Sequence, residues 1–482
     1  MSATATHDTA PDHGSATATH APWSILILLG AAQFMVILDI TVVNVALPSI
    51  GAALGFAAAD LQWVVTIYVL FTGGLLLLGG RLADRFDRRL VFLTGLSVFT
   101  AASLASGLAP SPGTLIAARA IQGLGAALLT PAALSIVTTT YSGAQQTKAL
   151  SAWGAIGSAG AAAGVLFGGV LTSGLSWEWV FLVNVPVGVA AIVLTPRLIP
   201  AGRPSAGEPG LDLPGAVTVV AGLMVLVYAL DGTSENGWGS ARTLLLLALA
   251  AGLLATFALV ERASRRPLVP PATWRMRSLV SSGAVVLGVT GILVGVFFLN
   301  SLYLQHVLDA SALETGLGFL PLVLSIGIAA HVASRLLPRA GSRTVVAGGL
   351  VLVTAGALVL AAAPDEASYF ADLLPGFVVL GVGMGLVFPG VTVTALGGVD
   401  PEQAGLASGF IATSHELGAA LGVAVLAAIA ATAGDITTLT GIAAGYQDGF
   451  VAAAGIGAAL AAIALWSVPQ IRPSQGAAAP VH

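Results

Sequence analysis

Long apolar runs separated by short polar gaps fill almost the whole chain, and the basic residues are sorted among those gaps. Fourteen runs begin near Trp23, Leu61, Leu90, Thr114, Lys148, Trp179, Leu213, Arg242, Ser278, Ala312, Arg343, Leu373, Gln403 and Tyr446. A bilayer core of about 30 Å takes roughly 20 apolar residues as a helix. If the first gap faces the cytoplasm, sixteen of the eighteen Lys and Arg fall in cytoplasmic gaps. They are Arg81, Arg85, Arg88, Arg89, Lys148, Arg197, Arg203, Arg262, Arg265, Arg266, Arg275, Arg277, Arg335, Arg339, Arg343 and Arg472. Arg242 falls outside, and Arg119 falls within an apolar run. This is the positive-inside bias of a polytopic helical membrane protein. It predicts an all-α membrane protein with 14 transmembrane helices and both termini cytoplasmic. It also isolates Arg119 as a charge that needs a reason to be in the membrane.

Composition leaves no room for a soluble domain. Hydrophobic residues make up 56% of the 482 and charged residues only 8%, against about 25% charged in a soluble chain. The longest internal polar gap runs from Glu261 to Arg277. The polar stretch 1–22 repeats SATATH and is expected to be disordered. Its His7, His13 and His20 are a weak metal-binding pattern, so no metal is expected. The stretch lacks a basic n-region, and the run after it is too long for a signal peptide's apolar core. Cysteine is absent, which removes disulfide and thiol chemistry.

Several function classes fall away on motifs. An ATP-driven pump needs G-K-[S/T] in its phosphate loop, and the one lysine, Lys148, follows Thr147. H-E-x-x-H does not occur: His415-Glu416 is followed by Leu417, Gly418 and Ala419. A channel needs a ring of carbonyls or charges about an axis, which a two-fold repeat of unlike halves does not supply. No cofactor and no nucleic-acid partner are expected, and the chain is expected to act as a monomer.

The gap after the second run reads Gly80-Arg-Leu-Ala-Asp-Arg-Phe-Asp-Arg-Arg-Leu-Val91, and that after the tenth reads Ser334-Arg-Leu-Leu-Pro-Arg-Ala-Gly-Ser-Arg-Thr-Val345. At an offset of 254 residues, Arg81, Leu82, Arg85, Arg89, Val91, Gly95 and Leu96 match Arg335, Leu336, Arg339, Arg343, Val345, Gly349 and Leu350. The repeat is regular if runs seven and eight are an insertion between two six-helix halves. Parallel repeats of this kind are the arrangement of major facilitator transporters. The expected organisation is a tail over 1–22, a six-helix bundle over 23–200, a linker with two extra helices over 201–277, a second six-helix bundle over 278–470 and a tail over 471–482.

Depth nominates the residues that could carry chemistry. Asp39 lies within the first run, and a carboxylate there is costly unless paired or wetted. Pro48 and Thr114 mark the outer ends of runs one and four, which puts Asp39 and Arg119 roughly 13 and 8 Å below the outer boundary. They are within reach of one another, and a static ion pair between helices is the alternative reading. Glu416 sits near mid-membrane in the thirteenth run. His415 is adjacent, so the two point about 100° apart on a helix and cannot both face one neighbour. His331 reads as a helix-contact histidine. In the fifth run Gly154, Gly157, Gly160, Gly164 and Gly168 form a strip that permits close helix approach. Gln33, Asn44, Trp63, Tyr68, Asn184, Phe297, Asn300, Tyr303, Gln305 and Phe388 could line a mostly apolar substrate cavity.

Four stretches carry a family resemblance. Leu38-Asp-Ile-Thr-Val-Val-Asn-Val-Ala-Leu-Pro48, Gly80 to Arg89, Arg119-Ala-Ile-Gln-Gly-Leu-Gly125, and Gly164 to Gly169 with Trp177 to Gly188 are similar to motifs of fourteen-helix drug:proton antiporters. Tyr303-Leu-Gln305 and Gly405 to Gly422 extend the likeness into the second half. The chain thus resembles the EmrB/QacA-type family of the major facilitator superfamily. The resemblance implies proton-driven export of amphiphilic small molecules such as antibiotics across the bacterial inner membrane. It implies that the Asp39 position takes part in drug/proton coupling and that the Arg119 position tunes it. It further implies that Asp84 docks on the N-terminus of the thirteenth helix near Gln403, holding the outward-facing state, while Arg81, Arg85, Arg88 and Arg89 lock the loop or meet anionic lipid. A dedicated exporter of one endogenous metabolite, or a non-transporting sensor, are the alternatives.

The chain departs from the family pattern at three positions. Asp87 stands where the loop motif has Gly and is expected to alter a tight turn. Val165 replaces a helix-kinking Pro. Glu178 reverses the usual charge between two Trp at the outer surface.

Overall fold

The chain's arrangement comes from a computed structural model. It describes residues 22–471 apart from 142, 202–211, 266, 365–366, 398, 400–403 and 434–438. Every regular element among the described residues is helical, as a bilayer requires when each backbone group must find its partner within its own segment.

Fourteen long helices carry the architecture: α1 (Trp23–Leu54), α2 (Gln62–Arg85), α3 (Arg88–Gly107), α4 (Pro112–Thr140), α5 (Gly143–Gly174), α6 (Trp179–Leu198), α7 (Leu213–Asp231), α8 (Ala241–Ala263), α9 (Arg277–His306), α10 (Ala312–Ala340), α11 (Ser342–Ala361), α12 (Tyr369–Gly397), α13 (Ala404–Ala433) and α14 (Leu439–Ser467). Thirteen are long and apolar enough to cross a membrane, and the remaining one, α5, runs for 32 residues. Helix starts follow their caps. Ser111 and Ser311 form capping boxes at α4 and α10, and Asp212 and Ser240 cap α7 and α8. These bonds satisfy amides that a helix start leaves open.

The two halves pack alike. In the first, α3 lies on α4, α2 on α4, α1 on α5 and α3 on α6. In the second, α11 lies on α12, α10 on α12, α9 on α13 and α11 on α14. The 254-residue repeat extends into the helix interfaces. A methyl group at Gly164 of α5 would lie 1.8 Å from Thr41 Oγ1 and 2.9 Å from the Leu38 carbonyl of α1. Gly418 of α13, at the repeat offset, comes as close to α9: a methyl there would lie 2.2 Å from the Leu287 carbonyl.

The halves meet along three seams: α1 on α9, α2 on α13, and α5 on α10. At the end away from the clustered arginines the chains are hydrogen-bonded. Ser301 Oγ donates to the Asn44 carbonyl (2.7 Å), Gln305 Nε2 to the Val45 carbonyl (3.0 Å), and Leu313 N to Ser173 Oγ (3.1 Å). Among the described residues no comparable contact joins α4 to α12. The inserted pair packs α7 on α8, and α7 also rests on both α2 and α13.

Asp87 alters its turn, as the sequence predicts. Its φ is −58°, and its side chain caps α3 by accepting from Arg89 N at 2.9 Å. The repeat-related Gly341 keeps the positive φ, 79°. Glu178 is half-buried in a helical turn, with one carboxylate oxygen buried and without a hydrogen bond. His331 is exposed on the face of α10 rather than held in a helix contact. The Asp84 side chain and Gln403 lie outside what is described, as do His7, His13, His20, Arg203, Arg266 and Arg472.

Candidate functional site

A closed polar cluster lies inside the first half, built from five helices. Asp39 on α1 and Arg119 on α4 are both 0% exposed. Arg119 Nη1 donates directly to Asp39 Oδ2. The other carboxylate oxygen, Oδ1, accepts from Gln122 Nε2 at 2.9 Å and from Asn184 Nδ2 at 2.8 Å. Gln122 follows Arg119 by three residues, so both project from one face of α4, and Gln122 Oε1 accepts from Arg119 Nη1 at 2.8 Å. Asn184 opens the long part of α6, just past a break at Val183.

Neutral groups close the cluster. Ser103 Oγ on α3 accepts from Asn184 Nδ2 (3.1 Å) and Gln122 Nε2 (3.3 Å), and donates to the Phe181 carbonyl (2.9 Å). Arg119 Nε donates to the Val64 carbonyl on α2 (2.9 Å). The guanidinium carbon lies 4.1 Å from the Tyr68 ring centre and 5.6 Å from that of Phe181. Its Nη2 has no hydrogen-bond acceptor, so the two rings provide the compensation there. A buried ion pair is tolerated when its remaining donors and acceptors are matched, and this one nearly is. Removing either partner leaves an uncompensated buried charge.

Glu416 is on α13, across the seam with α2. A methyl at Gly73 of α2 would lie 2.5 Å from its Cβ, so the glycine admits it. His415 and Glu416 face different neighbours, as the backbone angle predicts, Phe388 and Gly73 respectively, while their tips approach each other, Nδ1 to Oε1 at 3.6 Å. The 100° separation applies to Cβ directions, and these side chains are long enough to bend back. Glu416 Oε2 is buried without a hydrogen bond. Tyr68 lies within electrostatic range of Asp39, Arg119 and Glu416 alike.

The residues expected along a cavity are divided among separate places. Tyr68 and Asn184 belong to the Asp39 cluster. Asn300 and Tyr303 are packed inside the second half, where Tyr446 Oη donates to Asn300 Oδ1 at 2.8 Å and stacks on Tyr303 at 4.2 Å. Phe297 packs on Phe319, 4.7 Å between ring centres. Asn44 and Gln305 lie at the sealed end. Phe388 faces His415 at 6.3 Å. Gln33 is buried with its Oε1 unpaired, and Trp63 is partly buried against the core. Gln122 and Ser103 were not singled out from sequence. The three-residue spacing from Arg119 was the available signal for Gln122, and nothing local marks Ser103.

Two of the loop arginines bond to backbone carbonyls. Arg81 Nη2 donates to the Pro267 carbonyl, and Arg89 Nη1 to the Ile199 carbonyl at 3.1 Å. Arg85 lies by the Phe86 ring (5.4 Å), and Arg88 Nε is buried without a partner. Gly164 and Gly168 both face α1.

Known proteins agree with this architecture. The family model described as Major Facilitator Superfamily matches residues 29–423 and 296–481. The chain is 43% identical over 410 residues to the puromycin resistance protein of Streptomyces alboniger, covering 84% of this chain and 80% of that one. It is 40% identical to the cephamycin export protein of Amycolatopsis lactamdurans, covering 94% and 93%. The crystal structure of a peptide transporter in complex with sulfate superposes with a TM-score of 0.65 at 18% identity, covering 92% of this chain and 94% of that one.

Proposed function

The chain belongs to the major facilitator superfamily, and from that premise we propose that it is a proton-coupled exporter of amphiphilic small molecules, working by alternating access in the bacterial inner membrane. The observation that carries this reading is the fully buried Asp39–Arg119 pair with its neutral donors. A proton taken up by Asp39 releases Arg119, and the freed cation must find other partners. A switch of that size at a helix junction can bias the packing of α1 against α4 and, through Tyr68, the seam with α13. Glu416 is the second proton-binding group in this reading. Asp84 and the loop arginines hold the alternative state, and the units that move are 23–200 and 278–470.

With the arginine-bearing end in the cytoplasm, the hydrogen-bonded end of the seams is outside, which supports reading this arrangement as closed to the outside. Protons, the substrate and the bilayer are the partners, and no cofactor takes part. The test is uptake of a fluorescent amphiphile into proteoliposomes with an imposed pH gradient. Accumulation that collapses with the gradient supports the reading, whereas gradient-independent equilibration overturns coupling. The names of two relatives, a puromycin resistance protein and a cephamycin export protein, favour a dedicated exporter of one endogenous metabolite as a second reading. Competition among unrelated dyes separates the two.

A further inference from the structure

The inserted helices α7 and α8 end, on the arginine-bearing side, in two carboxyls that the transport reading does not use. Asp212 immediately precedes α7, and Glu261 is in the last turn of α8. Each is 6% exposed. Asp212 Oδ1 accepts from Gly215 N at 2.8 Å. Glu261 Oε1 accepts from Leu268 N at 3.0 Å and Oε2 from Val269 N at 2.8 Å. The two carboxyls converge over Gly215: Asp212 Oδ1 and Glu261 Oε1 each lie 2.9 Å from where its Cβ would stand. Asp212 Oδ2 is buried and meets no donor.

Among the described residues no cation neutralises the pair. Arg262 and Arg265, beside Glu261 in sequence, are exposed. Arg81 on α2, the helix packed on α7, directs its guanidinium to the Pro267 carbonyl. On α13, packed on α7 as well, the described titratable groups are His415 and Glu416, and neither acts on Glu261. The charged group that does is Asp212, which is also within hydrogen-bonding reach. Two carboxylates in contact without a cation do not both ionise, and a buried oxygen without a donor is costly. One proton on the pair removes both difficulties.

We propose that Asp212 and Glu261 bind one proton between them, forming a second proton site in the linker, outside the Asp39 cluster. The shared proton keeps Glu261 in position to hold Leu268 and Val269, and so keeps segment 267–276 docked on the ends of α7 and α8. The same segment supplies the Pro267 carbonyl that receives Arg81. At low pH the pair holds its proton and the segment is docked. As pH rises through the pair's titration the proton leaves, the charges repel and the segment loosens.

The experiment uses the full-length chain in lipid nanodiscs, with Ala272→Cys carrying a spin label on the segment and Ser311→Cys as a control at the opposite end. Label mobility is followed from about pH 5 to about pH 9, a range that spans raised carboxyl titrations. At Ala272 the parent is expected to become more mobile with rising pH while the label at Ser311 stays constant. Asp212→Asn keeps the acceptor for Gly215 N and gives Glu261 a permanent donor, so its label should stay immobile throughout. Gly215→Ala wedges the carboxyls apart and should leave the label mobile at every pH. A pH-independent parent, an Asp212→Asn variant that follows pH as the parent does, or parallel changes at Ser311 would each overturn the proposal. None of these readouts depends on transport, so they stand apart from the fate of the export reading.

Discussion

Arg89 and Arg343 make the same bond in the two halves of the chain. Each guanidinium donates to a backbone carbonyl just beyond the last helix of its own half, Ile199 at 3.1 Å and Val468 at 2.6 Å. The start of each third helix is thereby tied to the end of each sixth. A charge-assisted bond to a carbonyl that would otherwise lack a partner is worth about 1 kcal/mol at a half-exposed site. Arg89→Ala and Arg343→Ala should each lower the thermal midpoint of the solubilised protein by a few degrees, and the double variant should show an additive loss. An effect on transport with an unchanged midpoint would assign these arginines to the switch instead.

Asp39→Asn preserves shape and hydrogen bonding but cannot carry a proton. Uphill export should be abolished while substrate binding persists. Arg119→Ala leaves a buried carboxylate without its cation, which costs about 3–5 kcal/mol when the group stays charged. Substrate-induced proton release from purified protein is the decisive measurement. Release from Asp39→Asn equal to that of the parent would transfer the carrier role to Glu416.

Gly164→Ala introduces a methyl 1.8 Å from Thr41 Oγ1. Overpacking of that kind costs about 1–3 kcal/mol, and folded yield should fall. Thr41→Ala in the same chain should restore only part of it, since the Leu38 carbonyl is 2.9 Å from the same methyl.

Helix content and the repeat were legible because apolar length and spacing are linear properties of a chain. Asp39 and Arg119 were legible as a pair because depth along two helices can be counted in residues. Asn184 was not legible as their partner, because its direction depends on the break at Val183 and on how α6 meets α3. The divergence of His415 and Glu416 was legible because a helical wheel fixes Cβ directions, whereas the approach of their tips was not, because it depends on side-chain reach. The altered turn at Asp87 was legible from the missing glycine, whereas its cap on α3 was not, because it depends on the conformation the aspartate adopts.

Sidedness can be checked in the cysteine-free chain. Ser311→Cys at the start of α10 should react with an impermeant thiol reagent on intact cells. Thr344→Cys, exposed near the start of α11, should react only after permeabilisation. Ser342 is unsuited to this use, being buried and bonded to the Pro469 carbonyl at 3.0 Å. Labelling of Thr344→Cys from outside would invert the topology.

The position of α7 makes the two long seams unequal to anything that arrives through the lipid. On one flank α7 lies against both α2 and α13, with Val220 packed over Gly74, so a molecule sliding along the bilayer meets a shutter there. On the other flank, among the described residues, α7 and α8 make no comparable contact with α5 or α10. Among the described residues the inserted pair therefore covers one of the two long seams and leaves the other without a helix laid over it.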